Sequence, residues 1–223
     1  MKTTKWKQLI LLCLPLLTLF GCWETHHFNE PRYGSDRIIS EERSVSECKG
    51  ICLKYAGNIY LRQGNEQSIK VEANDNIIND VITSSQDGIL NIGLKNGSYS
   101  DVTVRVYVTL RSIELVAIEG AGNINVQNTI DTKDLDCVIN GAGDIFLRGY
   151  GENLDCKING AGNIDAFKFS VRNCTAKING SGNCSVNVSD YLDASISGIG
   201  NIIYVGNPEV KSSISGIGKI SRR

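Results

Sequence analysis

Histidine is nearly absent from this chain. The sequence of 223 residues contains only two histidines, His26 and His27, and they are adjacent. A Ser-His-Asp catalytic arrangement is therefore excluded from the C-terminal half, and no cysteine pair near these histidines completes a zinc site. Two neighbouring histidines in a polar segment are expected to be solvated. We therefore expect no metal and no cofactor.

Net charge and aromatic residues are also scarce. The chain has 23 Lys and Arg against 24 Asp and Glu, which gives a formal net charge of −1. No broad electrostatic attraction to nucleic acid follows from this balance, so we expect no nucleic-acid partner. Aromatic residues make up 7% of the chain, which counts against a large groove for stacking sugars.

Long hydrophobic runs are limited to residues 9–20, which follow three lysines and are too short to span a bilayer comfortably. The run ends in Leu19-Phe-Gly-Cys22, which resembles a bacterial lipobox. Residues 1–22 are predicted to be a lipoprotein signal peptide, with Cys22 as the lipid attachment site and the membrane as a partner. Cleavage nearby and an uncleaved anchor are the alternatives. Trp23 in place of Asp implies transport to the outer membrane.

Residues 23–44 are polar and include Pro31 and Gly34, so they are predicted to be a tether between the lipid and the domain. The remaining residues, 45–221, fit one elongated domain.

What the second half has in abundance is a Gly-x-Gly repeat followed by a polar and then an apolar residue. Its first glycines are Gly120, Gly141, Gly160, Gly180, Gly198 and Gly216. A near-constant period of about 20 residues is typical of a solenoid, in which each repeat buries its apolar face against its neighbours. The repeats are predicted over about residues 113–221.

Within each repeat, apolar and polar residues alternate. The position two before the first glycine is always isoleucine: Ile118, Ile139, Ile158, Ile178, Ile196 and Ile214. The position three after it is polar: Asn123, Asp144, Asn163, Asn183, Asn201 and Lys219. Period-two alternation indicates strands with one buried face. The sequence thus predicts an all-β, parallel, single-stranded β-helix, right-handed by the crossover rule, with polar ladders outside.

The glycines themselves are interpreted as corners of the coil, where a side chain would crowd the bend. A nucleotide-binding loop would need a following helix, and none follows. Calcium-binding nonapeptide repeats would carry Asp about every nine residues, which this sequence does not.

The outward columns offer one candidate ligand face. Its residues are Asp136, Asp155, Asp193, Asn140, Asn159 and Asn179.

A non-catalytic binding, adhesion or scaffolding role with a glycan or envelope protein is the first hypothesis. A polysaccharide lyase or hydrolase using the Asp residues is the alternative. A purely structural role through end-to-end stacking is a third hypothesis. The charges of Lys219, Arg222 and Arg223 at the last coil oppose such stacking and favour a monomer.

Eight cysteines are present, of which six follow Cys22. Cys137 and Cys156 occupy the same column of successive coils, so they could form a disulfide or act as small apolar core residues. Cys48 and Cys52 could pair locally.

Residues 45–112 show no clean repeat but alternate strand patterns with turn signals. Their order is Ala56-Gly-Asn-Ile-Tyr-Leu61, Gly64 to Ala73, Asp87-Gly-Ile-Leu-Asn-Ile92 and Thr109 to Glu114, which then runs into Gly-x-Gly-Asn-Ile. This ordered set resembles the bacterial GIN domain, a family described as an autotransporter-adhesin head and often borne on lipoproteins. The resemblance covers roughly residues 45–221. It implies an exported β-helical protein with no established enzymatic activity.

Overall fold

The structure, a computed structural model, describes residues 30–223, and its regular elements are almost entirely β-strands. The strands are β1 (Arg32–Tyr33), β2 (Ile38–Arg43), β3 (Gly50–Leu53), β4 (Ala56–Gln63), β5 (Ser68–Asn74), β6 (Val81–Gln86), β7 (Ile89–Leu94), β8 (Tyr99–Ser100), β9 (Val104–Leu110), β10 (Leu115–Ile118), β11 (Ala121–Val126), β12 (Ile130–Ile139), β13 (Ala142–Ile158), β14 (Ala161–Ile178), β15 (Ser181–Ile196), β16 (Ile199–Val205), β17 (Glu209–Ile214) and β18 (Ile217–Arg222). One 3-10 turn, Ile78–Asp80, precedes β6. No helix in residues 30–223 is long and apolar enough to cross a membrane.

The repeats stack as parallel coils in register. Ile158 pairs with Ile139 on one side and with Ile178 on the other, and the glycine columns align in the same way. The predicted parallel β-helix is therefore confirmed. The right-handed sense of coiling stays a prediction.

The interior of the coil is a set of aliphatic ladders. Ile118, Ile139, Ile158 and Ile178 have no exposed surface, and Ile196 has 1%. Each such side chain contributes about 1.5–3 kcal/mol by leaving water. Because no coil can bury these residues alone, stability depends on stacking.

The glycine corners are required by close contact between successive coils. Gly143 has a φ of +140°, and a Cβ atom at this position would overlap the carbonyl oxygen of Gly122 in the preceding coil. A Cβ atom at Gly162 would overlap the carbonyl oxygen of Gly143 in the same way. The interpretation of Gly-x-Gly as a structural corner is confirmed.

The segment without a clean repeat, which the sequence predicts to be a less regular β head of the domain, is itself part of the solenoid. The phrase Ala56-Gly-Asn-Ile59 pairs residue for residue with the same phrase at 121–124. Leu53 continues the isoleucine column next to Ile118. Strands β3 and β4 thus form one more coil, in which Tyr55 stands where later coils have their first glycine.

The order of the coils in space differs from their order in the chain. Strands β7 and β9 pair in parallel with β3 and β4 on the side opposite to β10 and β11. The chain therefore forms the β3–β4 coil first. It then places β7 and β9 on one side of this coil, and the following coil, β10 and β11, stacks on the other side.

Antiparallel strands close this first end of the solenoid. β6 pairs with β7, β5 pairs with β9, and β2 pairs with β5. Residues 32–43 were expected in the polar tether, but β2 packs on the domain and β1 pairs with β8. The tether therefore does not extend to residue 44, because this segment supplies edge strands for the cap.

The second end of the solenoid is formed by β17 and β18, with no coil above them in residues 30–223. Val210 and Ile214 are consequently exposed, Ile214 to 47%, although Leu192 and Ile196 in the same columns are buried. Lys219, Arg222 and Arg223 lie at the same end. The end thus exposes both apolar and basic side chains.

Candidate ligand-binding faces

Two outer faces meet at the glycine corner. The first face is formed by the strand segments that run towards a glycine corner. These are β10, β12, β17 and the C-terminal parts of β13, β14 and β15, and the face consists of their outward residues. The second face is formed by the strand segments that run away from a glycine corner. These are β4, β9, β11, β16, β18 and the N-terminal parts of β13, β14 and β15, and the face again consists of their outward residues. The candidate ligand face predicted from the sequence lies on the first face.

The predicted Asp column is present on the first face. Asp136 pairs with Asp155, and Asp193 follows two coils later, with Thr175 between them. These residues border an open groove of about 260 Å³, to which Asn153, Asn173 and Tyr191 also contribute. Asp193 itself lies outside the groove lining.

Lysines neutralise two of the three carboxylates. The Nζ atom of Lys157 lies 3.1 Å from Oδ2 of Asp155, and that of Lys211 lies 3.5 Å from Oδ2 of Asp193. These pairs are partly exposed and contribute little to stability. They do make the column electrically mixed.

The predicted Asn residues form a separate ladder at the corner, where each directly follows the end of β12, β13 or β14. Asn159 donates from Nδ2 to Oδ1 of Asn140 at 2.8 Å, and Asn179 donates to Asn159 at 2.8 Å. None of the three borders the Asp groove. The structure therefore does not bring the six predicted residues into one site.

The second face carries a longer amide ladder. Asn163 donates from Nδ2 to Asp144 at 2.8 Å, Asn183 donates to Asn163 at 3.0 Å, and Asn201 donates to Asn183 at 3.0 Å. Asn123 and Asn58 extend it to the β4 coil. The hydrogen-bonded polar ladders expected from the sequence are observed.

An aromatic row on the second face was missed by the sequence analysis. Tyr107 of β9 and Tyr60 of β4 are cross-strand partners, with ring centroids 5.0 Å apart and an angle of 17° between the ring planes. Phe146 lies in the same column two coils further on, beyond Asn125. Extending the repeat back to Ala56 would have aligned Tyr60 with Phe146. No local signal places Tyr107 beside them.

The environment of Tyr107 fixes its ring. Its hydroxyl donates to Oε2 of Glu72 at 3.1 Å, and the Nζ atom of Lys70 lies 5.4 Å from the ring centroid. Lys70 is also paired with Glu72 at 2.7 Å. Burial and the hydrogen bond to Glu72 raise the pKa of Tyr107, so the hydroxyl is neutral at physiological pH.

All six described cysteines are free, buried thiols. Cys48 belongs to the core and donates from Sγ to the Ser46 carbonyl oxygen, whereas Cys52 borders an outer groove with Lys54 and Glu119. Cys48 and Cys52 therefore do not pair, because they lie on opposite sides of the wall of the coil. Cys137 and Cys156 are in register as the sequence predicts, and they fill the core as thiols.

Thiols without charge suit these positions. Hydrogen bonds with the thiols of Cys137, Cys174 and Cys184, together with burial, raise the pKa of Cys156. Burial and then the carboxylate of Glu119 raise the pKa of Cys52 to about 11. Among residues 30–223, no group of three or more His, Cys, Asp and Glu side chains could hold a metal ion.

The raised pKa of Cys52 predicts a loss of stability in alkali. Folding raises this pKa from 9.0 to about 11, so the folded protein holds the thiol proton more tightly than the unfolded chain. The resulting stabilisation is complete below pH 9 and is lost as the pH rises towards 11. Urea unfolding of the wild type and of Cys52→Ala between pH 8 and pH 11 should show a smaller decline for the variant. Parallel declines would contradict the assignment.

A family model described as "Putative auto-transporter adhesin, head GIN domain" matches residues 49–208. The chain belongs to the GIN-domain family. The resemblance noted in the sequence is thus confirmed, and the family description points to adhesion at a cell surface.

Solved structures support the fold of this GIN-domain protein. A "putative adhesin" from Bacteroides fragilis is 21% identical, with a TM-score of 0.70, covering 86% of this chain and 100% of that chain. A "putative lipid binding protein" from Parabacteroides distasonis is 21% identical, with a TM-score of 0.51, covering 87% of this chain and 100% of that chain. At this identity the likeness shows the fold alone. No curated protein matches the chain.

Proposed function

We propose that this GIN-domain protein is a lipid-anchored component of the bacterial cell envelope that acts by binding rather than by catalysis. Its solenoid is a rigid rod whose outer faces present polar side chains at regular intervals. A surface glycan or another envelope protein is the expected partner. The family description as an adhesin head supports an adhesion-type role.

The pairing of two of the three carboxylates of the Asp column with lysines is the observation that carries the non-catalytic proposal. Lyase and hydrolase chemistry needs carboxylates free to hold or move a proton beside the scissile bond. Asp155 and Asp193 are instead paired with Lys157 and Lys211. This pairing is typical of a solvated surface of mixed charge.

The experiment that tests this proposal is capture from intact envelopes. Residues 30–223, immobilised through an N-terminal tag, are incubated with envelope fractions of the native bacterium, and retained polysaccharide and protein are measured. Saturable retention is expected, and it should not require Asp155, so Asp155→Asn should retain the same amount. Absence of retention by the wild type would contradict the proposal.

The lipid anchor rests on Cys22, which lies outside the described residues together with the signal peptide and both histidines. We expect Cys22→Ala to move the protein from the membrane fraction to the soluble periplasmic fraction. Cys13→Ala, within the signal segment, serves as the control and should leave the protein in the membrane. Membrane retention of Cys22→Ala would contradict lipidation at this residue. We further propose the outer membrane as the destination.

We propose that the protein is a monomer. The open end carries Lys219, Arg222 and Arg223 beside its exposed apolar residues. Two copies stacked through this end would bring like charges together, which opposes association.

A further inference from the structure

We propose that the aromatic row of the second face, Tyr107, Tyr60 and Phe146, is a binding site for a neutral glycan chain lying along the solenoid axis. This inference rests on the proposed binding function and names its surface and its class of ligand. The site differs from the Asp groove, which lies on the other side of the glycine corner.

The row provides an exposed and pre-oriented apolar platform. Tyr107 is 37% exposed and Phe146 is 40% exposed, although both project from well-ordered strands. Glu72 and Lys70 hold the ring of Tyr107 in place, and Tyr60 stacks on it. Tyr60 covers one face of the Tyr107 ring and Lys70 lies over the other, so the apolar C–H face of a pyranose would pack on Tyr60 and Phe146, on either side of Asn125. Little side-chain entropy is lost because the tyrosine rings are already fixed.

Polar groups surround the platform. Tyr60 and Tyr107 line an open depression of about 440 Å³ with Arg62, Ser68 and Thr109. Within the part of the chain that the structure describes, the side chains of these last three residues make no hydrogen bond or ion pair, so they are available to a ligand. An apolar floor with a rim of hydroxyl and guanidinium groups fits a sugar, whose hydroxyl groups surround an apolar face.

The charges around the depression favour a neutral ligand. Glu42 is the cross-strand partner of Lys70, Glu72 pairs with Lys70 from the same strand, and Arg62 lines the depression, so neither sign dominates. An acyl chain would need an enclosed apolar cavity, whereas this depression is open and bordered by polar groups.

The spacing of the row fits a polymer. Equivalent residues of successive coils are about 4.8 Å apart, so Tyr60 and Phe146 are separated by about two such steps. One coil step is comparable to the length of one sugar unit. A chain that packs on Tyr60 would therefore reach Phe146 after about two further units.

Binding to neutral oligosaccharides tests the inference. Residues 30–223 are applied to an array of neutral hexose and N-acetylhexosamine oligosaccharides of two to six units, and affinities for the hits are measured by calorimetry. We expect Tyr60→Ala to weaken binding about tenfold, which is the usual effect of removing an aromatic anchor. Tyr107→Ala should weaken it less, because Tyr107 acts by holding the ring of Tyr60. Phe146→Ala should weaken binding of hexasaccharides but not of disaccharides.

Tyr150→Ala is the matched control, because Tyr150 is 52% exposed and lies outside this row, where its hydroxyl donates to Asp131. It should leave affinity unchanged. Thermal unfolding verifies that each variant is folded, and Phe146→Ala provides a second test should a Tyr60 or Tyr107 variant unfold.

Three results would overturn the inference: no binding to any neutral oligosaccharide, equal affinity of the row variants and the wild type, or binding to anionic glycans alone. Retention of the row variants on intact envelopes together with one of these results would leave the binding function standing. Loss of all retention by the wild type would overturn both.

Discussion

Ile158→Asp should unfold most of the domain. Ile158 is fully buried between Ile139 and Ile178 in an aliphatic ladder of the core. The substitution removes an aliphatic side chain and leaves a carboxylate without a partner in an apolar interior, which we expect to cost about 4 kcal/mol or more. A domain of ordinary stability has about 5–15 kcal/mol to lose. Urea unfolding followed by circular dichroism measures the loss.

Asn163→Asp is the control for the inward and outward assignment. Asn163 is exposed on the neighbouring strand, and the substitution places a second carboxylate beside Asp144. We expect a cost of about 1 kcal/mol, since like charges in a cross-strand pair are only modestly unfavourable when exposed. Equal losses for the two substitutions would show that the alternation of buried and exposed residues is wrong.

Gly143→Ala should be nearly as damaging, although it adds only a methyl group. The added Cβ would overlap the carbonyl oxygen of Gly122, and the backbone at φ +140° is one that other residues rarely adopt. Neither strand can move away without breaking the ladder between β11 and β13. We expect a loss of at least about 3 kcal/mol, measured by the same unfolding assay.

Gly88→Ala separates conformational strain from overlap between coils. Gly88 also has a positive φ, +74°, but an added Cβ would meet nothing within 4 Å. Its substitution should cost only about 1 kcal/mol, the penalty for a left-handed alanine. If Gly143→Ala were no worse than Gly88→Ala, the corner would not require close approach of the coils.

The repeats were predictable because each carries its own periodic signal. The isoleucine two positions before the first glycine marks the buried face, and the polar residue three positions after that glycine marks the exposed face. The structure places both residues as expected. The β3–β4 coil was missed because Tyr55 replaces the first glycine and a long insertion, residues 64–112, follows it. Within that insertion, β7 and β9 pair with strands distant in the sequence, and no local pattern encodes such pairing.

The candidate sites were less predictable than the fold. The Asp column follows from the register of the repeats, but its pairing with Lys157 and Lys211 depends on side-chain conformation. The low aromatic content argued against a sugar-stacking surface, yet the non-sequential order of the coils places Tyr107 against Tyr60. Composition gives only the number of aromatic residues, whereas the fold determines which of them lie side by side.

Whether this solenoid binds an envelope polymer without cleaving it is decided by one paired measurement. Envelope polysaccharide from the native bacterium is incubated with residues 30–223, and both the bound protein and the polymer fragments released are measured over several hours. We expect saturable binding of the protein and no release of polymer fragments above that of a protein-free control. Release of fragments by the wild type but not by Asp155→Asn would contradict this expectation.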